Sequence, residues 1–118
     1  MKPLIHSKNH AKDFGGTWEN YIQVDDFIDS SKATHASMKH RCILHSAFGI
    51  YIVEKVFGTA IKNSDGLLVS VRDIAENHIL QDLGFIPSTD DWLGNLTLQS
   101  WMLGGRRKQI KKKFIKID

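Results

Sequence analysis

Apolar positions are densest in residues 29–58, DSSKATHASMKHRCILHSAFGIYIVEKVFG, where they cover most of a helical circumference. A helix that is apolar nearly all round is normally the buried centre of a small domain. The pattern therefore predicts one long central helix over residues 31–57. Asp29, Ser30 or Ser31 can serve as its N-cap, and Gly58 follows as the usual residue after a helix C-terminus.

Weaker signals flank this segment. Residues 1–16 read as a short helical or irregular lead-in closed by Gly15-Gly16, and residues 17–22 as a turn anchored by Trp18, Tyr21 and Ile22. Two short apolar runs around Asn63-Ser64-Asp65-Gly66 predict a small β-hairpin. Ser70, with Asp73 three residues on, starts a helix over Val71–Leu83, which Gly84 ends and Pro87 prevents from resuming. Ser88 caps a further short helix. Leu96, Leu98 and Trp101 over residues 95–102 read as a strand, with helix as the alternative. The expected fold class is mainly α with a small β-hairpin (α+β), a single compact domain around a central buried helix.

Composition narrows the function classes. The chain has 118 residues, 42% hydrophobic and 25% charged, as ordinary for one globular domain. The apolar run over 42–57 is broken by His45, Ser46, Gly49, Glu54 and Lys55, so no membrane span is expected. The first residues lack the apolar stretch of a signal peptide. The single cysteine, Cys42, excludes an intramolecular disulfide and a Cys-rich zinc site. A cytoplasmic location fits these features. The net charge of +3 is unevenly spread, because residues 106–116 hold seven Lys or Arg and no acid. Without them the remainder stands at about −4. The chain accordingly divides into a globular domain, 1–105, and a basic C-terminal tail, 106–118. In that tail Arg106, Arg107, Lys108, Lys111, Lys112 and Lys113 could contact phosphates of nucleic acid weakly and without sequence preference. A solvated terminal segment is the plainer alternative.

Candidate chemistry centres on the histidines. At about 100° per residue, His35, Met38, Cys42, His45, Gly49, Ile52 and Val56 share one stripe of the long helix, and His40, Leu44, Ala47, Tyr51 and Glu54 another. In the later helix His78 lies among Val71, Ile74, Ala75, Ile79 and Leu83, with Glu76 and Asp82 pointing elsewhere. A buried imidazole needs partners for both ring nitrogens. Neutral imidazole is also a common zinc and iron ligand. His45 and His78, joined by His10 or His40, are thus candidates for a divalent-metal site. His6 and His10 share a face if the lead-in is helical, and Asp26, Asp29 and Glu54 are available carboxylates. No metalloprotease, deaminase or Cys-pair motif is present, and His40 and His45 are badly spaced for chelation by one straight helix. Separate core histidines, each bonded to a carboxylate or carbonyl, remain the alternative. Cys42, on the same stripe, reads as an inert core thiol. The D-S-S-K start of the long helix suits an anion as a minor reading.

The segments DSSKA (29–33), HRCILHSAFGI (40–50), EKVFG (54–58), NSDG (63–66), VRDIAENH (71–78) and DLGFIP (82–87) together make the chain resemble a family of small uncharacterised proteins from bacteria and their phages. The resemblance spans most of residues 6–93. It implies a compact stand-alone domain, places His40, Arg41, His45 and His78 in the family pattern, and implies no reaction.

Three functions stay open. The first is a small intracellular domain with a buried His/carboxylate site that binds zinc or iron through His10, His45 and His78. As an enzyme it would be a metal-assisted hydrolase. The second is a non-catalytic module that holds an anionic or phosphorylated small molecule with Lys32, His40, Arg41 and Glu54. The third is a nucleic-acid or protein accessory factor acting through the tail. Homo-oligomerisation is compatible with all three.

Overall fold

The computed structural model describes residues 1–105, and the basic tail with its six candidate phosphate contacts lies outside the described residues. Helix α1 (Pro3–Phe14) leads through a 3-10 turn at Trp18–Asn20 to α2 (Ile22–Ile28). Two more 3-10 turns, Ser30–Ala33 and Met38–Cys42, bring the chain to α3 (Ala47–Phe57). Strands β1 (Ala60–Lys62) and β2 (Leu68–Ser70) form an antiparallel hairpin in the register Ala60↔Ser70, Ile61↔Val69, Lys62↔Leu68. The hairpin runs straight into α4 (Val71–Leu83), which α5 (Thr89–Leu93) and a last 3-10 turn at Ser100–Leu103 follow. The fold is mainly α with one small hairpin, as the pattern predicts. No helix among the described residues is long and apolar enough to cross a membrane.

Local chemistry accounts for the elements around α4. Asn63 folds the hairpin turn by accepting the Asp65 and Leu67 N–H groups at 3.0 Å each through its side-chain oxygen. Gly66 supplies the positive φ of 81° that the turn needs. Ser70 caps α4 by accepting from the Asp73 N–H at 3.3 Å, and Gly84 closes it in the left-handed conformation. Ser88 and Asp91 cap each other reciprocally at the start of α5.

The single long helix over 31–57 does not form, and serine and threonine explain why. These side chains can bond to nearby backbone groups and so compete with helical hydrogen bonds. Thr34 donates to the Ser31 carbonyl at 2.6 Å, Ser37 accepts from the Lys39 N–H at 3.2 Å, and Ser46 accepts from the Gly49 N–H at 3.0 Å. Ser46 is the N-cap of α3, so only the last 11 residues of the expected helix, Ala47–Phe57, are α-helical. The loop before it is held by tertiary bonds: the Ala47 N–H donates to the Pro87 carbonyl at 2.8 Å, and the Trp92 indole to the His45 carbonyl at 2.9 Å. The expected stripe breaks up accordingly. Leu44 is buried, whereas Met38 and Val56 are exposed, and so is Cys42, which is therefore not a core thiol. The stretch after α5 forms no strand, and Leu96, Leu98 and Trp101 lie exposed.

Helix α4 occupies the middle of the structure, packed against α1, α2, α3 and the hairpin. Its Val71, Ile74, Ala75 and Ile79 join Tyr21, Val24, Ile28, Leu44, Ile50, Val53 and Val69 in one apolar cluster. Helix α1 is arranged the opposite way. It buries His6, Ser7 and His10 and leaves Leu4 and Ile5 about half exposed. One side of the interior is thus polar.

Gly49 fixes the junction between the loop and α3. A Cβ there would collide with the Leu44 carbonyl backbone, which cannot yield without displacing His45. Gly49→Ala is expected to destabilise the domain by about 1–3 kcal/mol, the range for overpacking a close-packed site. Thermal melting checks it: an unchanged melting temperature would mean the loop is free to shift.

Candidate metal centre

Three helices each carry a polar pair spaced i, i+4, and the fold turns all three pairs inward: His6/His10 on α1, Asp25/Asp29 on and just beyond α2, and His78/Asp82 on α4. His45 joins them from the loop that Ser46 ends. His6, His10, His45, His78 and Asp25 are completely buried, and Asp29 keeps 5% of its surface.

Four donor atoms form the heart of the cluster. His45 Nε2 lies 3.0 Å from Asp82 Oδ2 and 3.5 Å from Asp29 Oδ1. His78 Nε2 lies 3.3 Å from Asp29 Oδ1 and 3.4 Å from Asp82 Oδ2. All four atoms fall within 4.8 Å of one another. Each imidazole nitrogen therefore faces both carboxylates, although each can carry only one hydrogen. A tetrahedral ion with ligands at about 2.0–2.1 Å has ligand–ligand edges of roughly 3.3 Å. The four nitrogen–oxygen edges, out of six in a tetrahedron, bracket that value, and the other two lie within 4.8 Å.

The surrounding contacts orient these donors. His78 Nδ1 donates to Asp25 Oδ1 at 2.7 Å, which leaves Nε2 aimed at the other two carboxylates. Asp25 also accepts from His10 Nε2 at 2.8 Å and from the Ser7 hydroxyl at 2.6 Å, so α1 holds the group that holds His78. His10 Nδ1 in turn accepts from the Asn77 amide at 3.1 Å. Asp82 Oδ1 bonds His6 Nε2 at 3.1 Å, and Arg41 Nη2 stands 3.5 Å from it. Histidine ligands held by a carboxylate on the far ring nitrogen are the usual outer shell of a protein metal site.

Burial and charge pull in opposite directions here. Burial disfavours the charged ring of His78, but bonds to Asp25, Asp29 and Asp82 outweigh it and push its pKa up to about 10. Burial dominates at His45 and lowers its pKa, although the bond to Asp82 opposes it. Burial also raises the carboxyl pKa values, but the histidines more than offset it. Asp25 is lowered by His10 and His78, Asp29 by His78, and Asp82 far below the carboxylate range by His45, His6 and His78.

The four side-chain polar atoms that are buried without a hydrogen-bond partner among the described residues all belong to this neighbourhood: Asp29 Oδ2, His45 Nδ1, His40 Nε2 and Arg41 Nε. An unsatisfied buried polar group costs about 1–3 kcal/mol. Their grouping singles out this neighbourhood as the candidate site.

His45 and His78, paired in the sequence reading, lie together, with ring centroids 5.2 Å apart. His10 stands outside the four-donor group, but with Asp25 and His78 it forms a second, fully buried set whose donor atoms also lie within 4.8 Å of one another. His40 is buried beside His45, ring centroids 6.1 Å apart, and bonds Ser31 Oγ at 2.8 Å. Lys32 is exposed, but its charge reaches Asp29 and His40. Glu54 belongs elsewhere: it lines a surface groove of about 290 Å³ with Tyr51, Arg72 and Glu76. Of the available carboxylates, exposed Asp26 takes no part, while Asp25 and Asp82 do. Asp82 does not point elsewhere. The D-S-S-K segment forms only a four-residue 3-10 turn, which offers no helix N-terminus for an anion.

A family profile described as Domain of unknown function (DUF6915) matches residues 1–102. No curated protein and no solved structure matches the chain.

These shifts set the pH dependence of the metal-free protein. The raised His78 contributes stability that is full below its ordinary pKa of 6.5 and is lost as pH rises through about 10. The lowered His45 contributes above 6.5 and loses its share as pH falls. The lowered aspartates lose theirs as pH falls below 3.8. The melting temperature of chelator-treated protein is therefore expected to peak near neutrality and fall on both sides. A flat profile between pH 7 and 10 would show that His78 is not the charged centre of the cluster.

Proposed function

The chain belongs to the DUF6915 family, which brings no activity with it, and we propose that this domain binds one divalent metal ion between Asp29, His45, His78 and Asp82. The four nitrogen–oxygen separations of 3.0–3.5 Å among those donors carry the reading. Two carboxylates and two neutral imidazoles around a divalent cation make an electrically neutral set, the condition under which buried charges are tolerated. Two imidazole and two carboxylate donors this close together favour zinc, with iron the second choice.

The ion would link α2, the loop before α3, and α4. With four protein donors, all buried, no coordination position stays open, so a binding or structural role fits better than metal-assisted hydrolysis. At this four-donor site His10 acts through Asp25, and the neighbouring set His10, Asp25 and His78 is the alternative seat for an ion. Because the donors must lose protons, affinity rises with pH.

Metal analysis of protein purified without chelator or nickel resin tests this. One zinc or iron per chain is expected, and none in His78→Ala or His45→Ala. Asp25→Asn, one bond removed from the ion, is expected to weaken binding by about 10–100-fold, whereas Glu54→Gln changes nothing. Metal at 100 times its Kd adds about 2.7 kcal/mol, so loaded protein should melt on the order of 10 °C above chelated protein. Equal melting temperatures with and without metal would refute the reading.

A further inference from the structure

The four donors account for His45 Nε2 and Asp29 Oδ1 but leave the opposite atom of each side chain without a partner, together with His40 Nε2 and Arg41 Nε. Hydrogen-bond chemistry assigns what these atoms need. A histidine that ligates through Nε2 carries its hydrogen on Nδ1, so His45 presents an N–H. Ser31 can donate its hydroxyl to His40 Nδ1, 2.8 Å away, which leaves His40 Nε2 as a second N–H. Arg41 Nε is always a third. With that His40 tautomer, three buried N–H donors sit on residues 40–45, and Asp29 Oδ2 is the one acceptor. Lys32 and Arg41 add positive charge near His40, with Arg41 Nη2 3.5 Å from Asp82 Oδ1. Asp29 and Asp82 oppose them, but both carboxylates are neutralised by an ion bound between the four donors.

We propose that residues 40–45 hold a phosphate-type oxyanion beside the metal, with His40, His45 and Arg41 donating to its unprotonated oxygens and its protonated oxygen donating to Asp29 Oδ2. A tetrahedral oxyanion offers several acceptors and, at neutral pH, one hydroxyl as phosphate, which matches three donors and one acceptor. The Arg41 side chain keeps 16% of its surface exposed and provides access from solvent. The subsite deepens the metal reading and rests on it for the His45 tautomer and the neutralised carboxylates. The donors of His40 and Arg41 stand without it.

Calorimetric titration of the full chain with inorganic phosphate, with metal content measured on the same samples, tests the subsite. Wild-type protein is expected to bind phosphate with a Kd of about 1 mM or tighter, and sulfate, which carries no proton at neutral pH, at least about ten-fold more weakly. His40→Phe and Arg41→Lys should each lose about ten-fold or more in phosphate affinity while keeping their metal, since Lys lacks the Nε–H of Arg. Phosphate that binds both variants as well as wild type is sitting on the metal or elsewhere, and overturns the subsite. So does absence of binding at about 10 mM phosphate. Phosphate binding that depends on Arg41 and His40 in protein without metal would keep the subsite and remove the metal.

Discussion

No member of the cluster His45, His78, Asp29 and Asp82 is stable in its place alone. A lone buried carboxylate or imidazolium is driven to neutralise itself or to stay in water. Together, with Asp25 accepting from His78 and His10, the groups compensate one another. That mutual dependence explains why removing one partner of such a buried network is expected to cost more than its own contacts. It also explains why α1, α2, α4 and the loop before α3 must arrive together.

The polar centre and the apolar core divide the labour on a single helix. Helix α4 presents Val71, Ile74, Ala75 and Ile79 to the hydrophobic cluster and His78 and Asp82 to the polar one. Its Ser70 and Gly84 ends set its length, and so set where Asp82 stands relative to His78. Helix α1 closes the polar side with histidines where an ordinary amphipathic helix would place leucines. The position of His45 depends in turn on Gly49, Ser46 and the Trp92 bond to its carbonyl.

What the chain's residues reveal on inspection follows the range of each interaction. The hairpin, α4 and α5 are legible because Asn63, Ser70, Gly84 and Ser88 act within a few residues of themselves. The long helix is not, because apolar density says nothing about Ser37 and Ser46 diverting the backbone. Burial of His78 is legible from its apolar neighbours. The role of Asp82 is hidden by the same logic, since periodicity assigns a charged residue to solvent. The signal for Asp25 and Asp82 was present as repeated i, i+4 pairs of histidine and aspartate on three helices. Such spacing becomes informative only when the three pairs are considered together. Glu54 shows the converse error, a carboxylate near the histidines along the chain yet on another face in space.

An anomalous-diffraction map of crystals grown from metal-replete protein tests the central claim most directly. The expected result is one peak between Asp29, His45, His78 and Asp82, at about 2.0–2.2 Å from Oδ1, Nε2, Nε2 and Oδ2 respectively. A map without a peak there, with His78 still bonded to all three aspartates, would contradict it and leave a proton as the occupant of the cluster.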